Sequence, residues 1–275
     1  MCLPGTVEKV RESEPTITRR TALAGGGAAA LAALLPGEAV AHKRRFRLRR
    51  GKLVDLTHTF TAGFPVYTGN PPSRRTLTRI DPDGFYKQEW TFDEHSGTHM
   101  DAPAHFVAGG RFTPQLRMRE LVLPIVVIDI AKRAGRDPDT VVTADDLRRF
   151  ERKHGRIPDG ALVAMDSGWA AKIGNDAAYK GGPPGDYHFP GFGDEAIEFL
   201  LERRDAAAIG VDTLSLDNGP SATFSVHVNW LNADNYGLEN LANLDKLPPH
   251  GATAIVGVIP WQDGSGGPAR VLATF

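Results

Sequence analysis

The apolar positions of the chain fall into short runs divided by turn-forming and charged stretches. Four runs stand out: Ile125 to Ile130, Ala161 to Met165, Ala207 to Asp212 and Ala254 to Ile259. Runs of this length read as buried strands, being too short for a helix that has a stripe to bury. Leu53 to His58 alternates instead and is rich in β-formers, which also predicts a strand. Phe85 to Phe92 reads as a strand leading into a histidine-rich segment. Thr143 is a suitable N-cap for a helix through about His154, with Gly155 as its stop. Asp194 to Arg204 carries Ile197, Leu200 and Leu201 at helical spacing, and Arg203 and Arg204 suit its C-terminal end. Phe64 to Pro72 and Gly181 to Gly185 are turn-rich loops. Strands alternating with helices predict an α/β fold. No internal repeat and no long linker follow residue 50, so one domain over 51–275 is expected.

Composition narrows the function classes. The chain has 275 residues, 41% apolar and 24% charged, enough for a core that needs no disulfide. A formal net charge of −1 gives no field to attract nucleic acid or an anionic membrane. The basic runs Lys43-Arg44-Arg45 and Arg47-Leu48-Arg49-Arg50 read as a solvated arm over 42–50. The single cysteine, Cys2, excludes an internal disulfide, and its place near the terminus argues against a thiolate site. Arg19-Arg20 precede a mild Gly/Ala-rich stretch ending at Leu35, and Ala39-Val40-Ala41 fits a cleavage site. Residues 1–41 therefore resemble a twin-arginine export signal, too short and mild for a stable membrane span. Cleavage would leave a periplasmic or secreted protein that starts at His42 and lacks Cys2.

The candidate chemistry is concentrated in one place. His95, His99, Asp101 and His105 fall within eleven residues, spaced H-x3-H-x-D-x3-H. Divalent ions favour neutral imidazole nitrogen and carboxylate oxygen, with a position left for water. Gly97 permits a sharp backbone path and Pro103 stiffens the next one, so the segment is not one regular helix. A lone histidine is usually structural, but packing does not explain such a density of ligand-type residues. The donor types do not separate zinc from manganese.

The segment resembles the HxGTHxDxPxH signature of the cyclase family, which includes bacterial kynurenine formamidase and isatin hydrolase. Supporting landmarks are Val54–His58, Phe64–Tyr67, Ser167–Trp169, Pro190-Gly191, Gly210–Asp217, Glu239–Leu244 and Gly264–Arg270. The resemblance implies a single α/β domain of the swivelling β/β/α type, with a mixed sheet and flanking helices. It implies that His95, His99 and Asp101 are metal ligands, and that His227 and Glu239 complete a site for one or two Zn²⁺ or Mn²⁺ ions. From the residues alone, His227 reads equally as a buried structural histidine and Glu239 as a surface carboxylate. Asp101 has two oxygens and can bridge two ions. The implied activity is hydrolysis of a formamide, cyclic amide or lactone, a small-molecule substrate, by a homo-oligomer (dimer or tetramer). The metal would lower the pKa of water from about 15.7 to about 7. His105, beside the ligands but spare, would move the proton; an outer partner or a further ligand is its other reading.

Other features are weaker. His58 sits at a strand end with a structural role expected, and His154, His188 and His250 read as incidental. Asp212 and Asp217 match family landmarks, though a turn or cap explains each. Phe64, Tyr67, Trp169 and Trp90 are candidates for an aromatic substrate pocket, with core packing the default for each. No G-x-S-x-G elbow supports a serine hydrolase. Gly264 to Gly267 does not open a helix, and no P-loop is present. The alternatives are an exported metal- or ligand-binding protein without turnover, a cyclase or dehydratase of secondary metabolism, and a structural protein with a histidine-lined core.

Overall fold

A computed structural model describes residues 51–275; the expected export signal (1–41), the basic arm (42–50) and Cys2 lie outside the described residues. Along the chain, β1 (Leu53–Asp55) is followed by a hairpin of β2 (Ser73–Thr78) and β3 (Lys87–Thr91), then β4 (His99–Asp101) and β5 (Val122–Asp129). Next come β6 (Val141–Val142), α1 (Ala144–His154), β7 (Leu162–Asp166), β8 (Gly191–Phe192) and α2 (Asp194–Arg203). The chain ends with β9 (Ala208–Val211), α3 (Ser225–Asn232), β10 (Tyr236–Glu239), β11 (Ala252–Val258) and β12 (Gly266–Thr274).

Residues 74–90 form a compact unit of their own, where Arg75 pairs with Glu89 at 2.6 Å and Arg74 lies over the Trp90 ring. The larger unit, 51–73 with 91–275, is an α/β domain built on one eight-stranded sheet. Its order is β1-β12-β11-β5-β7-β9-β10-β4, and β4 pairs again with β12, which closes the sheet into a barrel. The step from β5 through β7 and β9 to β10 is parallel, and the other pairings are antiparallel. Closure leaves β4 with neighbours on both edges, which is how a three-residue strand is held.

Three of the four apolar runs become strands with two buried faces. Val126 and Ile128, Val163 and Met165, and Ile209 and Val211 pack toward α1, α2 and α3. The alternate residues Ile125 and Val127, Leu162 and Ala164, and Ala208 fill the barrel interior. The fourth run departs from expectation: on β11 only Ala252, Ala254 and Val256 enter the core, while Ile255 is 37% exposed. That strand is half-buried by alternation, as antiparallel strands commonly are. The two expected helices form within a residue of their expected ends. Thr143 caps α1 by accepting from the Asp146 N–H, and Asp146 returns a bond to the Thr143 N–H at 2.9 Å. Gly155 ends α1 at φ +91°.

Candidate metal centre

The spacing of His99 and Asp101 acquires its meaning on β4, because alternate residues of a strand share a face. In the antiparallel register His99 lies opposite Glu239 of β10, so two carboxylates and an imidazole converge. Gly237 and Gly266 flank Asp101 on the two neighbouring strands. A Cβ on Gly266 would come 2.5 Å from the His95 ring, so only glycine leaves that ring its place. Gly97, at φ +75°, turns the chain so that His95 Nδ1 reaches Asp101 Oδ1 at 2.6 Å.

His227 enters from the first turn of α3. The Asp217 carboxylate accepts from the Val226 and His227 N–H groups and also binds His227 Nδ1 at 2.6 Å. It thereby caps the helix and aims Nε2 inward, 3.1 Å from Glu239 Oε1 and 3.5 Å from Asp101 Oδ2. His99 Nδ1 donates to the Gly97 carbonyl at 2.9 Å, which leaves its Nε2 3.4 Å from Asp101 Oδ1 and 3.3 Å from Glu239 Oε2. His95 Nε2 contacts Ser265 Oγ at 2.9 Å, and Ser265 in turn donates to Glu94. Each imidazole thus has an outer partner and an inner nitrogen. Asn240 ties the set together: its Nδ2 donates to the same Gly97 carbonyl at 2.9 Å, and its Oδ1 accepts from the buried Tyr179 hydroxyl at 2.8 Å.

These donors fit a divalent cation. They form two overlapping triads, His95/His99/Asp101 and Asp101/His227/Glu239. Ligands held about 2.1 Å from a tetrahedral ion lie about 3.4 Å apart, and the inner contacts of His99 and His227 span 3.1 to 3.5 Å. Asp101 Oδ2 is buried with no hydrogen-bond partner, a position that a cation would satisfy.

The electrostatics agree. Burial opposes charging of His99, but Asp101 and Glu239 outweigh it and raise this imidazole to about 9. His227 goes the same way: burial is outweighed by the neighbouring Asp101, Asp217 and Glu239 carboxylates. Burial and the Asp101 charge raise Glu239, whereas Asp101, despite burial, is held well below the usual carboxylate range by His99, His227 and His95. The pocket favours positive charge, whether carried by protons or by a metal. His105 differs: burial, aided by the neighbouring histidines and opposed by Asp101, lowers it to about 4. Its ring stacks on His95 with centroids 3.7 Å apart.

His95, His99, His227 and Glu239 line a cavity of about 360 Å³, together with His105, Tyr67, Phe106, Phe224 and Ser215. Of the four aromatic candidates, Tyr67 alone borders this cavity. Phe64 is buried, packs near Phe60 and lines a neighbouring cavity with His58. Trp169 is buried with Tyr179 and Phe189, its indole N–H donating to the Tyr179 carbonyl at 2.8 Å. Trp90 belongs to the hairpin unit. Phe106 and Phe224 take the places expected for Phe64 and Trp169; nothing in their sequence spacing marks them. Asp217 was legible as a cap, but its grip on the His227 ring was not. Asp212 accepts from Ser167 and Trp169 and is raised to about 6 by burial, outside the donor set. His188 pairs with Asp139 at 2.8 Å, away from the site.

A family model described as "Putative cyclase" matches residues 54–218. Over 222 residues the chain is 37% identical to the isatin hydrolase of Roseibium aggregatum, covering 76% of this chain and 84% of that protein. It is 26% identical over 200 residues to the kynurenine formamidase of Bordetella avium, covering 72% and 86%. Among solved structures, isatin hydrolase A from Ralstonia solanacearum superposes with a TM-score of 0.78 at 31% identity, covering 95% of this chain and 99% of that one.

Two outcomes are expected. Asp217→Asn keeps a helix cap but loses the carboxylate behind His227, so divalent-metal affinity falls about 10- to 100-fold in a chelator-competition titration; unchanged affinity would show that Asp217 only caps. In metal-free protein, folding raises His99 to about 9, so its stabilisation is full below about 6.5 and lost as pH rises through about 9; His227 is raised in the same direction and adds to the loss as pH rises. The urea midpoint of metal-free protein should therefore fall across that window, and saturating Zn²⁺ should flatten the fall.

Proposed function

The chain belongs to the cyclase family, and we propose that it is a metal-dependent hydrolase that opens a cyclic amide carried on an aromatic ring, as in isatin. It acts on carbon–nitrogen bonds other than peptide bonds. One observation carries the reading: a neutral imidazole, His105, stands beside a donor set suited to a divalent ion, on an aromatic-walled cavity. Identity to the isatin hydrolase exceeds that to the kynurenine formamidase, which favours a cyclic amide over an open formamide.

His95, His99, Asp101, His227 and Glu239 would hold Zn²⁺ or Mn²⁺, as one or two ions. When bound, such an ion supplies Lewis acidity, polarising a carbonyl and lowering the pKa of water to about 7. The residues of the chain supply the rest. Hydrolysis joins a water oxygen to the carbonyl carbon, breaks the C–N bond and delivers a proton to nitrogen. His105, held neutral by burial, takes the proton from water and returns it to the leaving nitrogen. Its stacking on His95 fixes the ring plane without occupying either nitrogen. Phe106 and Phe224 wall one side of the cavity.

The test is a panel of isatin, N-formylkynurenine and a simple lactone. Isatin should be opened fastest, with activity lost to a chelator and restored by Zn²⁺ or Mn²⁺. His105→Ala should keep its metal and lose about 10²- to 10⁴-fold in kcat. Stoichiometric metal with no turnover of any substrate would overturn the reading.

We further propose that the enzyme is exported by the twin-arginine route, supported by Arg19-Arg20 and the Ala39-Val40-Ala41 site. N-terminal sequencing of protein from the periplasm or medium should begin at His42; an intact N-terminus found only in the cytoplasm would refute export.

A further inference from the structure

Phe224 stands immediately before α3 with φ 49° and ψ 39°, in the left-handed region. A bulky L-residue is strained there, and glycine or asparagine is the usual occupant. The local backbone explains the conformation but not the side chain. Asp217 holds the Val226 and His227 N–H groups at 3.0 and 3.1 Å, and the Phe224 carbonyl accepts the Val228 N–H at 2.9 Å. Glycine would serve that turn at less cost.

The ring is half-buried and borders the metal-centre cavity, so core burial does not offset the strain. It meets Tyr67 edge-on at 5.5 Å and lies 6.0 Å from both Phe106 and His227. Phe106 is 38% exposed and stacks at 4.8 Å on His227. Rings from separate segments of the chain thus form one wall beside the donors, and Phe224 is the one held there against its backbone preference. Strain retained at a cavity-facing residue points to a ligand contact.

We propose that Phe224 is a specificity-determining residue: its ring recognises the aromatic ring of the substrate, and it discriminates between ring-fused cyclic amides and their non-aromatic counterparts. This rests on the hydrolase reading for the identity of the scissile group, but the aromatic preference is measurable without turnover.

Phthalimide and succinimide make a matched pair, sharing the cyclic imide and differing by the fused benzene ring. Phe224→Gly and Phe224→Asn in the Zn²⁺-loaded full chain should lower the phthalimide-to-succinimide ratio of kcat/KM about tenfold, through KM for phthalimide with kcat little changed. The ratio of dissociation constants from calorimetry should fall in parallel. Phe224→Tyr should keep most of the ratio. Zn²⁺ affinity should stay unchanged, and the urea midpoint of Phe224→Gly should equal or exceed that of the parent, because the strain is relieved. An unchanged ratio, or equal losses for both imides, overturns the proposal. If neither imide is hydrolysed but the dissociation-constant ratio still falls, the aromatic wall stands and hydrolysis of such rings does not.

Discussion

Asp101 is 1% exposed and faces three imidazoles, with Glu239, a second buried carboxylate, completing the donor set. Taking ionised carboxylates out of water is strongly unfavourable unless charge or hydrogen bonds compensate them. Here the compensation is assembled with direction. The Gly97 carbonyl, Asp217 and Ser265 occupy the outer nitrogens of His99, His227 and His95. The inner nitrogens face Asp101, whose Oδ2 is left unpartnered. Such a centre is stable only with positive charge inside it, which links folding, pH and metal binding in one equilibrium.

The closed sheet meets the geometric demand. β4 contributes His99 and Asp101 from only three residues, and pairing with β10 and β12 on both edges holds it in register. A slip of one residue on β4 would turn both side chains to the other face. Asn240, Tyr179 and the Gly97 carbonyl tie the following loop to the same frame. His227 comes from outside the sheet, and Asp217 joins its helix to the centre by using one carboxylate as both cap and ring partner.

Aromatic residues divide by burial into two roles. Trp169, Tyr179 and Phe189 are fully enclosed and position backbone. Tyr67, Phe106 and Phe224 keep exposed surface beside the donors. The chemistry and the selectivity therefore draw on different parts of the chain: the histidine signature and its distal partners for the first, two loops and the entry to α3 for the second. His105 bridges them, ring-stacked on a donor and lowered by burial rather than raised by charge.

Local pattern alone carried β5, β7 and β9, both longer helices with the cap and stop of α1, and the histidine cluster, because each is set by neighbours within a few residues. The sequence also marked His227 and Glu239, through resemblance, without giving a reason for their spacing. That reason is tertiary: Glu239 stands opposite His99 across an antiparallel pair, and His227 is aimed by Asp217. The role of each aromatic residue was likewise undetermined by type, since Trp169 and Phe224 are both large and apolar yet one is enclosed and the other borders the cavity. Tertiary packing decided these matters. It joins segments far apart in the chain, and no periodicity within a single segment encodes which distant strand will lie beside it.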